Sequence, residues 1–263
     1  MKHTLTLATI TLACCAAGAH AQERDDIEAD RPDFVESTRM VGKGRVQLET
    51  SLLFERERER EGEGRKRTLS TPTLLRIGLA EALELRVETE GRMIRHSREE
   101  GRRVTETGYG DTALGLSWHA LDPAGPLPSV GVHLAAELDS GSRAFRGEGV
   151  RPSLRVAAEW ELPNEVKLGV MPGIGVEREE GGRYRYGIFG IVAEKEFGER
   201  LRGLVELALP RIARAKHGGT EASFDVGAAY LLSKDVQLDA MLSRGLNSRS
   251  PDIAFTIGLS IRR

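Results

Sequence analysis

From Gly44 to the C-terminus, apolar and polar residues alternate with a period of two. That is the period of a strand with one dry and one wet face. Val46, Leu48, Thr50, Leu52 and Phe54 share one face, against Gln47, Glu49, Ser51 and Glu55. Leu69, Leu75, Ile77 and Leu79 oppose Ser70, Arg76 and Gly78. Leu83, Leu85, Val87 and Thr89 oppose Glu84, Arg86, Glu88, Glu90 and Arg92. Further along, His119, His133, Glu137, Arg155, Glu159, Arg202 and Glu206 all fall on the wet face of their strands. The pattern predicts twelve strands, and only Tyr184 to Phe197 is apolar on both faces.

The predicted connections alternate in length. Short turns fall at Ala80–Ala82, Pro163–Glu165, Gly198–Arg200 and Ser233–Asp235. Longer charged loops are expected at Arg56–Lys66, Arg95–Gly108, Asp139–Gly149, Arg178–Arg183 and Arg211–Gly219. Such alternation is the signature of an up-and-down antiparallel transmembrane β-barrel, with short turns toward the periplasm and long loops outside. A soluble barrel enclosing a ligand gives the same period with the faces exchanged. Three features favour the membrane. The apolar strips are about 9–11 residues long, as tilted spanning strands are. Wet faces carry both signs of charge at mid-strand, and Tyr109, Trp118, Trp160, Tyr184 and Tyr230 sit near strand ends, where an interface wants aromatics.

Composition narrows the picture further. Lys plus Arg total 38 and Asp plus Glu 40, a net charge of −2, which argues against a polybasic nucleic-acid binder. No apolar run reaches the ~18 residues of a membrane helix. Residues 1–21 read as a secretory signal: Lys2, an apolar stretch, then Ala19-His20-Ala21 as the cleavage pattern. The only cysteines, Cys14 and Cys15, lie in that leader, so the mature chain is expected to lack thiolate and disulfide chemistry. Residues 22–43 show no alternation and are expected either to plug the barrel or to hang free as a periplasmic tail. Residues 44–263 form the barrel.

Two ends of the barrel region carry a resemblance. Ala29-Asp30-Arg31-Pro32-Asp33-Phe34-Val35-Glu36-Ser37, then Val41-Gly42-Lys43-Gly44-Arg45-Val46-Gln47-Leu48-Glu49, resembles the opening of the outer-membrane proteins described as "putative MetA-pathway of phenol degradation". Gly108-Tyr109-Gly110-Asp111-Thr112 and the closing Val236–Asp239, Gly245–Asn247 and Gly258–Ser260 are similar to further segments of that family. The resemblance implies an outer-membrane barrel that moves small, often aromatic or hydrophobic, compounds. Such barrels commonly end in an aromatic residue, whereas this sequence ends Ile261-Arg262-Arg263, which makes insertion by the usual route less secure.

The chemistry on offer is charge rather than catalysis. The residues expected to line the lumen are Glu49, Arg76, Glu84, Arg86, Glu88, Glu90, Arg92, His119, His133, Glu137, Arg155, Glu159, Arg202 and Glu206. They either fill it with ion pairs or border a water-filled path. The Asp30-Arg31-Pro32-Asp33 element marks the N-terminal segment. His119 and His133 could approach each other, but a metal site needs more ligands. Ser140 lacks a nucleophile elbow, and the Gly-x-Gly pairs lack the lysine and helix of a phosphate loop. No enzyme activity, cofactor or metal is expected. Arg56, Arg58, Arg60, Arg65, Lys66 and Arg67 are expected at the outer rim, where they can meet lipopolysaccharide phosphates. The expected partners are outer-membrane lipid, lipopolysaccharide and a small solute, in a Gram-negative outer membrane. A non-conducting structural barrel and an exported ligand-binding barrel stand as alternatives.

Overall fold

The computed structural model describes residues 26–58, 64–99, 102–179 and 182–263. The predicted signal and Arg60 lie outside them. Twelve antiparallel strands follow one another around a closed barrel. β1 is Val46–Arg58. β2 comes in two pieces, Arg65–Ser70 and Thr73–Ala80. β3 is Leu83–Thr89 and Arg92–Glu99, and β4 is Arg102–Tyr109 and Thr112–Leu121. β5 to β8 are Ser129–Leu138, Arg151–Leu162, Val166–Glu179 and Gly182–Phe197. β9 to β12 are Leu201–Ile212, Glu221–Ser233, Val236–Gly245 and Ile253–Arg262. β12 returns to β1, from Gln47 opposite Arg262 to Arg56 opposite Ile253, and this pairing closes the barrel.

The faces are sorted as a membrane requires. Leu48, Leu52, Phe54, Leu116, Trp118, Leu134, Phe224, Phe255 and Ile257 are exposed on the outside. Gln47, Glu49, Arg76, Glu84, Ser117, His133, Glu206, Asp225 and Ser260 are buried on the inside. A soluble barrel needs the opposite arrangement, so that alternative falls. Among the described residues no helix is long and apolar enough to span a membrane.

Two expectations are corrected. The stretch expected as a loop at Arg95–Gly108 is mostly ladder: Arg92 through Glu99 pairs with Arg102 through Tyr109. The ends of β1, β2, β7 and β8 extend in the same way. Beyond the hydrocarbon both strand faces are polar, so the apolar alternation fades while backbone pairing continues. Second, Arg92 does not face the lumen. β3 breaks at Glu90–Gly91, where Thr71 N donates to both Glu90 O (3.2 Å) and Arg92 O (3.1 Å). Gly91 has φ 63°, and a Cβ there would sit 2.2 Å from Thr71 O, so only glycine fits. The extra residue inverts the faces beyond it, as a bulge does. Ile94 stands opposite outward Leu69, and Arg92 shares its face.

Candidate functional site

Tyr184 to Phe197 is apolar on both faces because the lumen is not empty. Residues 26–44 run through it. Ile27 N donates to Lys234 O at 2.6 Å, and Arg262 reaches Asp26 O at 3.0 Å, so the segment starts at the short-turn end. Val41 N donates to Glu84 Oε2 (3.0 Å) and Gly44 N to Gly78 O (2.9 Å), returning it to the same end. Between these points residues 30–38 make a bend inside the barrel.

One flank of the bend is ionic. Arg76, fully buried, donates to Glu84 Oε1 at 2.9 Å, to Glu49 and Asp30 at 3.3 Å each, and to Arg39 O at 2.7 Å and Glu28 O at 3.2 Å. Arg86 bonds the second oxygen of Asp30 and approaches Glu84 at 3.4 Å. Burial raises the Asp30 carboxyl, but Arg76 and then Arg86 outweigh it and hold the group well below its ordinary range. Glu49 accepts from Arg31 N at 3.2 Å and from Gln47 at 2.9 Å. Glu36 pairs with Arg155 at 2.8 Å and lies 3.2 Å from His133. Unpaired, such charges could not stay in a dry interior.

The other flank is mixed. Arg31 donates to Asp239 (3.2 Å) and Thr256 (2.9 Å), while its carbonyl accepts from Arg202 and Gln237, each at 3.1 Å. Pro32 lies against Gly227. Glu206 accepts from Phe34 N at 2.8 Å and Val35 N at 2.9 Å. Arg202 holds Glu194 at 2.5 Å and stands 3.7 Å from Asp33. Burial, then the facing Glu194, pushes the Asp33 carboxyl up. Val35 packs with Ala157, Met171, Val192 and Leu204 in a dry cluster, bordered by Phe34 and Met241. These inward apolar residues are what blurred the alternation of β8.

The remaining expected residues sit around this bend. His119 Nδ1 donates to Thr38 O at 2.8 Å, and His133 lies 2.9 Å from Ser117 Oγ, so the two histidines serve different partners. Glu137 pairs with Arg151 at 2.9 Å, toward the hairpin end. Glu88 and Glu90 share the inward face of Glu84 and Arg86 but stay solvent-exposed in the outer part of the lumen. Glu159 borders a cavity of about 380 Å³ between the segment and the wall, open at the short-turn end. A second space of about 280 Å³ lies near the hairpin end, beside Glu55, Glu57, Lys66 and Thr68. The dry cluster lies beside the first space, with Val35, Ala157 and Val192 common to both. Glu36, Phe34 and Val35 were not on the expected site, although they follow Asp33 directly. Gln47, Glu194, Asp225, Gln237, Asp239 and Thr256 were also missed, each on a wet face where only polarity could have flagged it.

Twelve antiparallel strands, apolar outside and charged inside, define a transmembrane β-barrel of the outer-membrane type. The chain belongs to the family described as "Putative MetA-pathway of phenol degradation", which matches residues 29–262. Its structure is similar to an outer membrane channel from Pseudomonas putida F1, at 12% identity and a TM-score of 0.64, over 90% of this chain and 100% of that one. It is also similar to the translocator domain of the autotransporter NalP from Neisseria meningitidis, at 11% identity and a TM-score of 0.55, over 86% and 90%. At such identities the likeness is one of fold. No curated protein matches the chain in sequence.

Proposed function

We propose that this protein is an outer-membrane channel for small solutes of a Gram-negative cell, with the hairpin end outward, and that residues 26–44 form a plug that must shift for passage. One observation carries the reading: the lumen holds free space toward both ends, about 380 and 280 Å³, and the segment with its dry cluster occupies the region between. The two flanks differ in kind. The β1–β5 side is held by buried ion pairs around Arg76 and Arg86, whereas the other side is mixed: the Val35 side chain meets Ala157, Met171, Val192 and Leu204 in a dry cluster, beside the Arg31–Asp239 pair and the hydrogen bonds to Glu206. The ion-paired flank acts as the anchor, and the dry cluster around Val35, which holds no ion pair of its own, is where the segment parts from the wall first. That apolar contact also favours small aromatic or apolar solutes over ions, since a passing ion would be stripped of water there. The family's description is consistent with such compounds.

Liposome swelling with a panel of solutes tests this. Wild-type protein should pass small neutral solutes slowly, and a chain lacking residues 26–40 should pass them faster. Equal rates for the two chains, both folded, would contradict the plug. The second reading, a static barrel filled by its own ion pairs, predicts no flux from wild type under any condition.

A further inference from the structure

The pleat sorts the Glu–Arg alternation at the end of β1. Glu55 and Glu57 turn inward, and Glu57 meets Lys66 at 3.0 Å. Lys66 therefore leaves the basic set expected at the rim. Arg56 and Arg58 turn outward, on the face of Phe54. The register of β2 sets Arg67 opposite Arg56 and Arg65 opposite Arg58. On β3, His96 stands opposite Arg67, and Arg98 stands opposite Arg103 of β4. The bulge at Gly91 turns Arg92 outward too, but below Ile94, which is level with Leu69, so Arg92 stands apart from the group.

Arg56, Arg58, Arg65, Arg67 and His96 thus share one outward face of three neighbouring strands, Arg98 and Arg103 continue it on β3 and β4, and among the described residues no carboxylate shares the outward face of Arg56, Arg58, Arg65 and Arg67. Two pairs, Arg56/Arg67 and Arg58/Arg65, set like charges directly opposite each other. Such pairs weaken a ladder unless an anion lies between them. The patch also sits at a telling height. Phe54 and Leu69 are the last large outward apolar residues below Arg56 and Arg67. Two residues of strand rise about 7 Å, so the guanidinium groups begin just past the hydrocarbon.

We propose that this face docks the phosphorylated head of an outer-leaflet glycolipid, the diphosphorylated glucosamine of lipopolysaccharide. The planar guanidinium fork suits bidentate phosphate contact, and phosphates between the facing arginines remove their repulsion. The inference rests on the outward orientation proposed above and is independent of whether solute passes.

The test uses the full chain purified in detergent and titrated with bisphosphorylated lipid A, with its dephosphorylated form and with inorganic phosphate. Binding should be at least about tenfold tighter for the bisphosphorylated lipid than for either alternative. The variant carrying Arg56→Gln, Arg58→Gln, Arg65→Gln and Arg67→Gln should lose at least that factor. If that variant does not give a heat-modifiable folded band, the smaller change Arg56→Gln with Arg67→Gln supplies the same reading. Equal affinity for the two lipid forms, equal affinity for free phosphate, or unchanged binding in the folded variants would overturn the proposal. Lipid A binding by a barrel that fails every flux assay would overturn the channel reading and leave this one standing.

Discussion

Replacing Arg76 by methionine removes the cation at the centre of the anchored flank while keeping most of the side-chain volume. Three of its contacts bind the segment itself: Asp30 at 3.3 Å, Glu28 O at 3.2 Å and Arg39 O at 2.7 Å. The wall carboxylates Glu49 and Glu84 lose a partner in the same step. Stripping one partner from a buried ion pair costs about 3–5 kcal/mol, because the other charge is left uncompensated. Arg86 still reaches Asp30 and Glu84, which places the loss at the lower end of that range. On the docking equilibrium, 3 kcal/mol is a factor of roughly 10² (1.4 kcal/mol per tenfold). Amide hydrogen exchange read by mass spectrometry measures it directly. Protection across residues 27–41 should fall by about that factor, and protection in β7 and β8 much less, because those strands do not touch Arg76. Arg76→Lys keeps the charge without the fork and should fall between. If the folded Arg76→Met barrel retains segment protection within about threefold of wild type, the ionic anchor is wrong.

Other consequences are narrower. Glu206→Gln weakens the acceptor for Phe34 N and Val35 N, so exchange at those two amides should quicken by about 1–3 kcal/mol equivalent while Asp30 stays docked. Val35→Ser wets the dry cluster and should speed liposome swelling with small sugars without releasing the ionic flank. Docking should also depend on acidity. Asp30 is held below its ordinary value near 3.8, so its contribution is full above that pH and is lost as pH falls beneath it. The raised Asp33 works in the opposite sense, so the measurement belongs in an Asp33→Asn background, where segment protection should fall as pH drops below about 4.

Much of the barrel was legible because lipid imposes a strict rule on alternate residues, and the twelve strands and their inward charges follow from it. The rule fails where the ladder is interrupted. Gly91 falls inside the strand expected from Leu83 to Arg92, yet its bulge moves Arg92 from the wet face to the outside. It also fails beyond the hydrocarbon, where nothing apolar marks the ladder from Arg92 to Tyr109. The site was only half legible. Asp30, Arg31 and Asp33 stood out as a charged element ahead of the first strand, but their partners are set by barrel closure: Arg31 meets Asp239 and Thr256, more than 200 positions away. The doubly apolar β8 was itself a trace of the segment, since its inward residues Ile188 and Val192 have no reason to be apolar in an empty wet lumen.

The proposed channel requires the segment to move. A Cβ on Gly169 of β7 would lie 3.2 Å from Val35 Cγ1, near enough for cysteines at both positions to meet disulfide geometry on the flank that has to separate. In a Val35→Cys, Gly169→Cys chain that also carries Cys14→Ser and Cys15→Ser, these are the only cysteines. Solute flux into liposomes should drop several-fold on oxidation and recover on reduction. Identical, non-zero flux in the oxidised and reduced states would show that solute passes with the segment locked in place, and would contradict the account.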